Sequence, residues 1–268
     1  MTSWDFPGTD PIDIIISLSS GSVAVSGEPT GTTTVELEAA KHGRDADELI
    51  AQVGVSFHDG VLEIEQPKQA GFLRSHAGLN LTVKAPAGSR CTIKTASADV
   101  ACVGELAELD ARTASGDVTA AQVTGPLQIT TASGDVRVER AGETASVNTA
   151  SGDVQLQQAD GEVAVTTASG DLSIAAAAGS VRASSASGDI NLHSTARGEV
   201  GLKTVSGDML VGVQAGAEVY LDLSSLSGKI KSQLEETDGG SGAGLQLRCR
   251  SVSGDIRVTR AESPAPAA

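Results

Sequence analysis

Gly161-Glu-Val-Ala-Val-Thr-Thr-Ala-Ser-Gly-Asp-Leu-Ser-Ile174 holds two short runs of alternating apolar and polar residues. Val163 and Val165 mark the first, Leu172 and Ile174 the second. Alternation with a period of two marks a strand with one buried face, and no segment carries the 3.6-residue period of an amphipathic helix. Between the runs lies a cluster of turn-forming residues, Ser169-Gly170-Asp171. The pattern repeats on both sides. Leu127 and Ile129 go with Val136 and Val138, Ala145 and Val147 with Val154 and Leu156, and Val181 and Ala183 with Ile190 and Leu192.

The signature serines fall at Ser97, Ser115, Ser133, Ser151, Ser169 and Ser187, each 18 residues after the last. Ser206, Ser227 and Ser253 follow at spacings of 19, 21 and 26, giving nine copies. A propeller blade needs about forty residues and aromatic signatures, which are missing, and a sandwich would not repeat its turns in register. The expected fold is all-β, a single-stranded parallel β-helix of about 18 residues per coil. Coils would stack ~4.8 Å apart, nine of them spanning roughly 43 Å, with stability a nearest-neighbour sum. The residue before each serine is apolar: Ala96, Ala114, Ala132, Ala150, Ala168, Ala186, Val205, Leu226 and Val252. If these face inward, the chain bends on either side of them. Each coil then has two longer sides and a short third side.

Hydrophobic residues make up 40% of the 268 residues, mostly Ala and Val, and Trp4, Phe6, Phe57, Phe72 and Tyr220 are the whole aromatic set. Such a core suits the narrow space between stacked strands. A net charge of −15 argues against nucleic acid and anionic lipid, both of which need clustered cations. Cys91, Cys102 and Cys249 alternate in phase with apolar neighbours and read as small buried hydrophobes. The apolar run Ile14-Ile15-Ile16 is too short for a signal sequence or a membrane span, so no membrane insertion and a cytoplasmic address are expected.

The chain divides into an N-terminal β-rich cap continuous with the helix (1–90), the repeat region (91–260) and a disordered tail (261–268). The cap carries alternating stretches at 12–18, 35–39, 62–64 and 79–83, and Ser20-Gly21-Ser22-Val23 reads as a decayed signature. A helix is expected over 45–53, where Asp45 and Glu48 have capping-box spacing. Loops are expected at 66–78, with Phe72 and Leu73 either covering the core end or meeting a partner, and at the acidic, Gly-rich 235–244.

The Ser-Gly-Asp-Val repeats, the opening Ile12-Asp-Ile-Ile-Ile-Ser-Leu18 and Ala85-Pro-Ala-Gly-Ser89 before the first repeat resemble a known bacterial family. It is the "putative adhesin" β-strand-repeat family, a domain of unknown function common in actinobacteria. The resemblance covers about residues 10–260. It implies a right-handed single-stranded β-helix and brings no catalytic residues.

The most regular polar feature is an aspartate ladder, Asp99, Asp117, Asp135, Asp153, Asp171, Asp189, Asp208 and Asp255, broken at Lys229. Stacked carboxylates repel by about 1 kcal/mol in a water-like dielectric, so something must offset that cost. The first reading is structural: each Asp accepts backbone N–H groups of its own turn, helped by the signature serine. The glycine suits a positive φ. The pairs Ser115-Gly116, Ser133-Gly134, Ser151-Gly152, Ser169-Gly170 and Ser187-Gly188 are then structural turns. Two other readings are a calcium column, although one Asp and one Ser per coil supply few of the six to eight oxygens calcium takes, and direct partner binding.

No enzymatic constellation stands out. The outward columns Thr119, Arg137, Gln155, Ser173, Asn191 and Asp110, Gln128, Ser146, Ala164, Arg182 concentrate neither carboxylates nor aromatics. His42, His58, His76 and His193 have no metal-ligand spacing. No cofactor is expected. The leading expectation is a non-catalytic scaffold or interaction module that binds an unknown protein partner or self-assembles. The alternative is an exported adhesin-like surface protein, calcium-stabilised.

Overall fold

The computed structural model describes residues 2–40, 49–67, 78–234 and 244–261. The chain forms two compact units, 1–136 and 137–268. The first contains β1 (Thr2–Pro7), β2 (Asp13–Glu28), β3 (Thr32–Ala39), β4 (Gly54–His58), β5 (Val61–Glu65), β6 (Leu79–Pro86), β7 (Ser89–Arg112), β8 (Val118–Val123) and β9 (Leu127–Thr131). The second holds all but the first residue of β10 (Val136–Ala141), then β11 (Ala145–Ser151), β12 (Val154–Ala159), β13 (Val163–Ser169), β14 (Leu172–Ala177), β15 (Val181–Ser187) and β16 (Ile190–Thr195). It continues with β17 (Gly198–Ser206), β18 (Met209–Val213), β19 (Val219–Ser227), β20 (Ile230–Ser232), β21 (Leu245–Ser253) and β22 (Ile256–Arg260). Residues 49–51 form a helical turn, while Asp45 and Glu48 lie outside the described residues, as do Phe72 and Leu73, 235–243 and the tail from 262. No helix among the described residues is long and apolar enough to cross a membrane.

The fold is an all-β parallel β-helix in which each regular coil gives one strand to each of two ladders. In the second unit β11, β13, β15 and β17 pair in parallel, so that Val163 lies between Ala145 and Val181, and Val200 follows. β12, β14, β16 and β18 form the other ladder. One coil buries Val163, Val165 and Thr167 from its first strand and Leu172, Ile174 and Ala177 from its second, each at most 5% exposed. Fully burying an aliphatic side chain of this size contributes about 1.5–3 kcal/mol. Stacking is what makes that burial available.

Among the described residues the short third side is absent. Alternation continues through Thr167, which points inward, and Ala168 is exposed beside Ser169. Val205, Leu226 and Val252, at the same position, are 55%, 84% and 46% exposed. A hydroxyl residue therefore occupies the inner corner and the apolar residue faces solvent, because strand geometry, not polarity, sets the facing.

Spatial order departs from chain order at the far end of the second unit. β21 pairs with β17 along one edge and with β19 along the other. β22 does the same between β18 and β20. The chain thus builds the outer coil, 219–232, and then returns to fill the place beneath it.

The first unit uses the same device. β2 pairs with β7 on one edge and with β5 and β6 on the other, so β5 and β6 lie outside a strand that precedes them. Ser20, Gly21 and Ser22 stand opposite Ser97, Ala98 and Asp99, which makes Ser20–Val23 a repeat copy in register. Antiparallel strands complete this end: β3 on β6, β1 on β3 and β4 on β5. Phe6 and Phe57 pack there with ring centroids 5.0 Å apart. Such a cover removes the open strand edges that invite aggregation.

Candidate functional site

The Ser-Gly-Asp corner joins the two strands of each coil. Gly170, Gly188, Gly207 and Gly254 have φ of +136°, +139°, +149° and +154°, a backbone region that L side chains rarely adopt. Space also demands glycine here. A Cβ on Gly170 would lie 2.3 Å from the Gly152 carbonyl oxygen, and one on Gly188 would lie 2.1 Å from that of Gly170. In the first unit the corner is built differently: Gly116 and Gly134 each donate an N–H to the inward hydroxyl of Thr113 and Thr131, at 2.9 Å. In the second unit the inward hydroxyls of Thr149, Ser185, Thr204 and Ser251 are buried without a hydrogen-bond partner among the described residues. Among the described residues the side chains of Ser115, Ser133, Ser151, Ser169 and Ser187 are exposed. Backbone carbonyls act instead, as where Gly170 N–H donates to Ser187 O at 3.1 Å.

The aspartates bond across coils, not within their own turns. Asp117 N–H donates to Asp99 Oδ1 at 3.1 Å, and Asp135 N–H to Asp117 Oδ1 at 2.9 Å. In the second unit Asp171 donates to Asp153, Asp189 to Asp171, Asp208 to Asp189 and Asp255 to Asp208, at 2.8–2.9 Å. The last rung is Lys229, whose N–H reaches Asp255 Oδ1 at 2.8 Å. Among the described residues Lys229 belongs to the outermost coil, so an acceptor there would meet no further N–H among them. A charged acceptor bonds a backbone donor more strongly than a neutral one, which offsets the repulsion between rungs. One oxygen of each of these carboxylates is committed to the fold.

The thiols lie in the core, free and buried. Burial pushes Cys102 and Cys249 up to about 12, with the charge of Asp222 adding to the shift at Cys249. Among the described residues no group of three or more His, Cys, Asp or Glu side chains is placed to hold a metal ion. His193 Nε2 and Ser173 Oγ share a 3.3 Å contact on the exposed face. Asp160 is held below the usual carboxylate range by hydrogen bonds from Gln158 and Arg140.

One concentration of charge went unread in the sequence. Arg182, Ser184, Glu199, Gly201, Lys203, Arg248 and Arg250 line a depression of about 250 Å³ on the outer face of β15, β17 and β21. Arg182, Gly201 and Arg248 form one row across the strands, and Ser184, Lys203 and Arg250 the next. The column through Arg182 was visible, but Arg248 joins it only because β21 is threaded beside β17.

A family model described as Toastrack DUF4097 matches residues 13–259. The chain belongs to the Toastrack DUF4097 family. The match to Toastrack starts at the first residue of β2 and ends within β22. Among solved structures, the chain is similar over 96% of its length to 96% of a "putative adhesin" from Parabacteroides distasonis, at 15% identity and a TM-score of 0.48. A "putative adhesin" from Bacteroides fragilis matches with the same coverage of both chains, at 14% identity and a TM-score of 0.43. A "putative lipid binding protein" from Parabacteroides distasonis matches over 97% of this chain and 96% of its own, at 14% identity and a TM-score of 0.44. Comparison with curated proteins finds no match.

Proposed function

We propose that this Toastrack chain is a non-catalytic β-helical interaction module that presents its outward strand faces to a protein partner. The observation that carries this is the use of the repeat's constant polar group. The aspartates are spent on bonds between coils, while the outward columns change residue type from coil to coil. A partner would then read the variable faces. Affinity purification with cross-linking from the native organism tests this. The expected result is a stoichiometric partner cross-linked at outward strand positions; turnover of a small substrate by the purified chain would sink it.

We place the module in the cytoplasm, a reading supported by three thiols that are free. Recovery at the cell surface on fractionation would favour the adhesin-like alternative. Self-association through the outermost coil is a second reading, favoured by the exposure of Tyr220, Leu226 and Ile230 on β19 and β20. Light scattering of the native chain against Leu226→Lys separates the two: a dimer lost in the variant supports it, and a monomer in both removes it.

A further inference from the structure

We propose that the depression centred on Gly201 is an oxyanion site that takes a dianionic phosphate group. The chain carries 34 acidic against 19 basic residues, so cations gathered in one place need a reason. Arg182, Lys203, Arg248 and Arg250 gather on adjacent strands. Facing them are Glu199 and Asp222, which leaves the patch two positive charges.

The cations are paired unevenly: Arg248 donates a hydrogen bond to Asp222, Arg182 and Arg250 meet a carboxylate only at the limit of ion pairing, and Lys203 meets none among the described residues. Asp222 lies at the rim, 3.0 Å from Arg248 Nε and 3.8 Å from Arg250. Glu199 stands 4.0 Å from Arg182 and 3.8 Å from Arg248, at the limit of ion pairing. It orients both guanidiniums from one flank without closing a two-pronged bond. Lys203 has no ion pair among the described residues. Guanidiniums present planar forks suited to phosphate oxygens, and an ammonium supplies a point charge beside them.

Gly201 gives the second, independent indication. It sits inside β17, where glycine weakens a strand and often marks a place where a ligand approaches closely. The fold does not ask for it: its φ is not in the positive region, and a Cβ there would meet nothing within 4 Å. The corner glycines, by contrast, are pressed against neighbouring carbonyls. Gly201 leaves a floor between Arg182 and Arg248, which stand two strand spacings apart, ~10 Å from Cα to Cα. Its neutral methylene lets a tetrahedral anion settle against the sheet with a cation on each side.

This site goes beyond the interaction-module reading and stands without it. The test titrates the intact chain with inorganic phosphate at low ionic strength, followed by calorimetry and 31P NMR. Saturable binding is expected, with Gly201→Glu abolishing it at an unchanged melting temperature. Arg182→Ala and Arg248→Ala should each weaken it on the order of tenfold, and Glu199→Gln should tighten it by removing the opposing charge. Methyl sulfate, a monoanion, should bind more weakly than phosphate. A sugar phosphate binding more tightly than inorganic phosphate would identify a phosphoester as the ligand, and equal binding would identify free phosphate. Absence of saturation, or phosphate binding that survives Gly201→Glu, overturns the proposal.

Discussion

At the scale of single residues, position outweighs polarity. Thr131 and Thr204 occupy the same inward corner site and are both buried. Thr131 Oγ1 accepts the Gly134 N–H at 2.9 Å, whereas Thr204 Oγ1 has no partner among the described residues. The same substitution should therefore have opposite signs. Thr131→Val leaves a backbone donor unsatisfied and should cost about 1–3 kcal/mol. Thr204→Val, close in shape, removes an unsatisfied hydroxyl and should stabilise by up to about 1 kcal/mol. Urea unfolding of both variants checks this, and equal signs would contradict the difference between the two corners. The thiols give a second prediction. A group raised in the folded state contributes stability that is complete below its unfolded pKa and fades above it. With Cys102 and Cys249 raised from 9.0 to about 12, unfolding free energy should fall between pH 9 and 12 by about 1.4 kcal/mol per pH unit for each thiol. Burial raises the Cys91 thiol as well, so replacing all three with Val should flatten that limb, while replacing Cys102 and Cys249 alone should only make it shallower, measured by urea unfolding from pH 8 to 10.5.

At the scale of elements, the threading of β21 sets local stability. β21 is hydrogen-bonded on both edges, to β17 and to β19. β19, earlier in the chain, pairs only with β21 among the described strands, and its inward residues Val219, Leu221 and Leu223 are only half-buried. Opening free energy follows buried contact and backbone pairing, not distance from the terminus. Hydrogen exchange should accordingly be slower in Leu247 and Cys249 of β21 than in Leu221 and Leu223 of β19, although β21 lies nearer the chain end. Faster exchange in β21 would mean that the inserted coil is not held from both sides. The inner strand positions of β13 and β14 were legible in the sequence because period-two alternation is local. The outward turn of Ala168 was not, since nothing local tells a buried threonine from a solvated one at a corner.

At the scale of the whole chain, charge is the main lever. A net −15 repels itself more when concentrated in a folded molecule than in an unfolded chain, and the aspartate columns add local repulsion. Raising sodium chloride from 10 to 150 mM shortens the Debye length from about 30 to about 8 Å, and the melting temperature should rise by a few degrees. Calcium at matched ionic strength should add nothing, since Asp99, Asp117, Asp153, Asp171, Asp189, Asp208 and Asp255 each already accept a backbone N–H through one oxygen. A further rise reversed by chelator would restore the cation-column reading. Calorimetry reads both outcomes.

The amino-acid sequence alone determined the coil: its length, its two strands, the apolar pairs that face inward and the glycine at the corner. These follow from side-chain alternation and backbone sterics, which act over a few residues. The constancy of the Ser-Gly-Asp signature was legible too, but not its cause, because the partner of each aspartate is an N–H one coil away. Only the tertiary structure decided which coil lies against which. Every repeat offers nearly the same edge to every other, so the sequence near β21 cannot say that it belongs between β17 and β19. Closing the chain and burying its ends selects that order, and with it the meeting of Arg248 and Arg250 with Arg182 and Lys203 around Gly201.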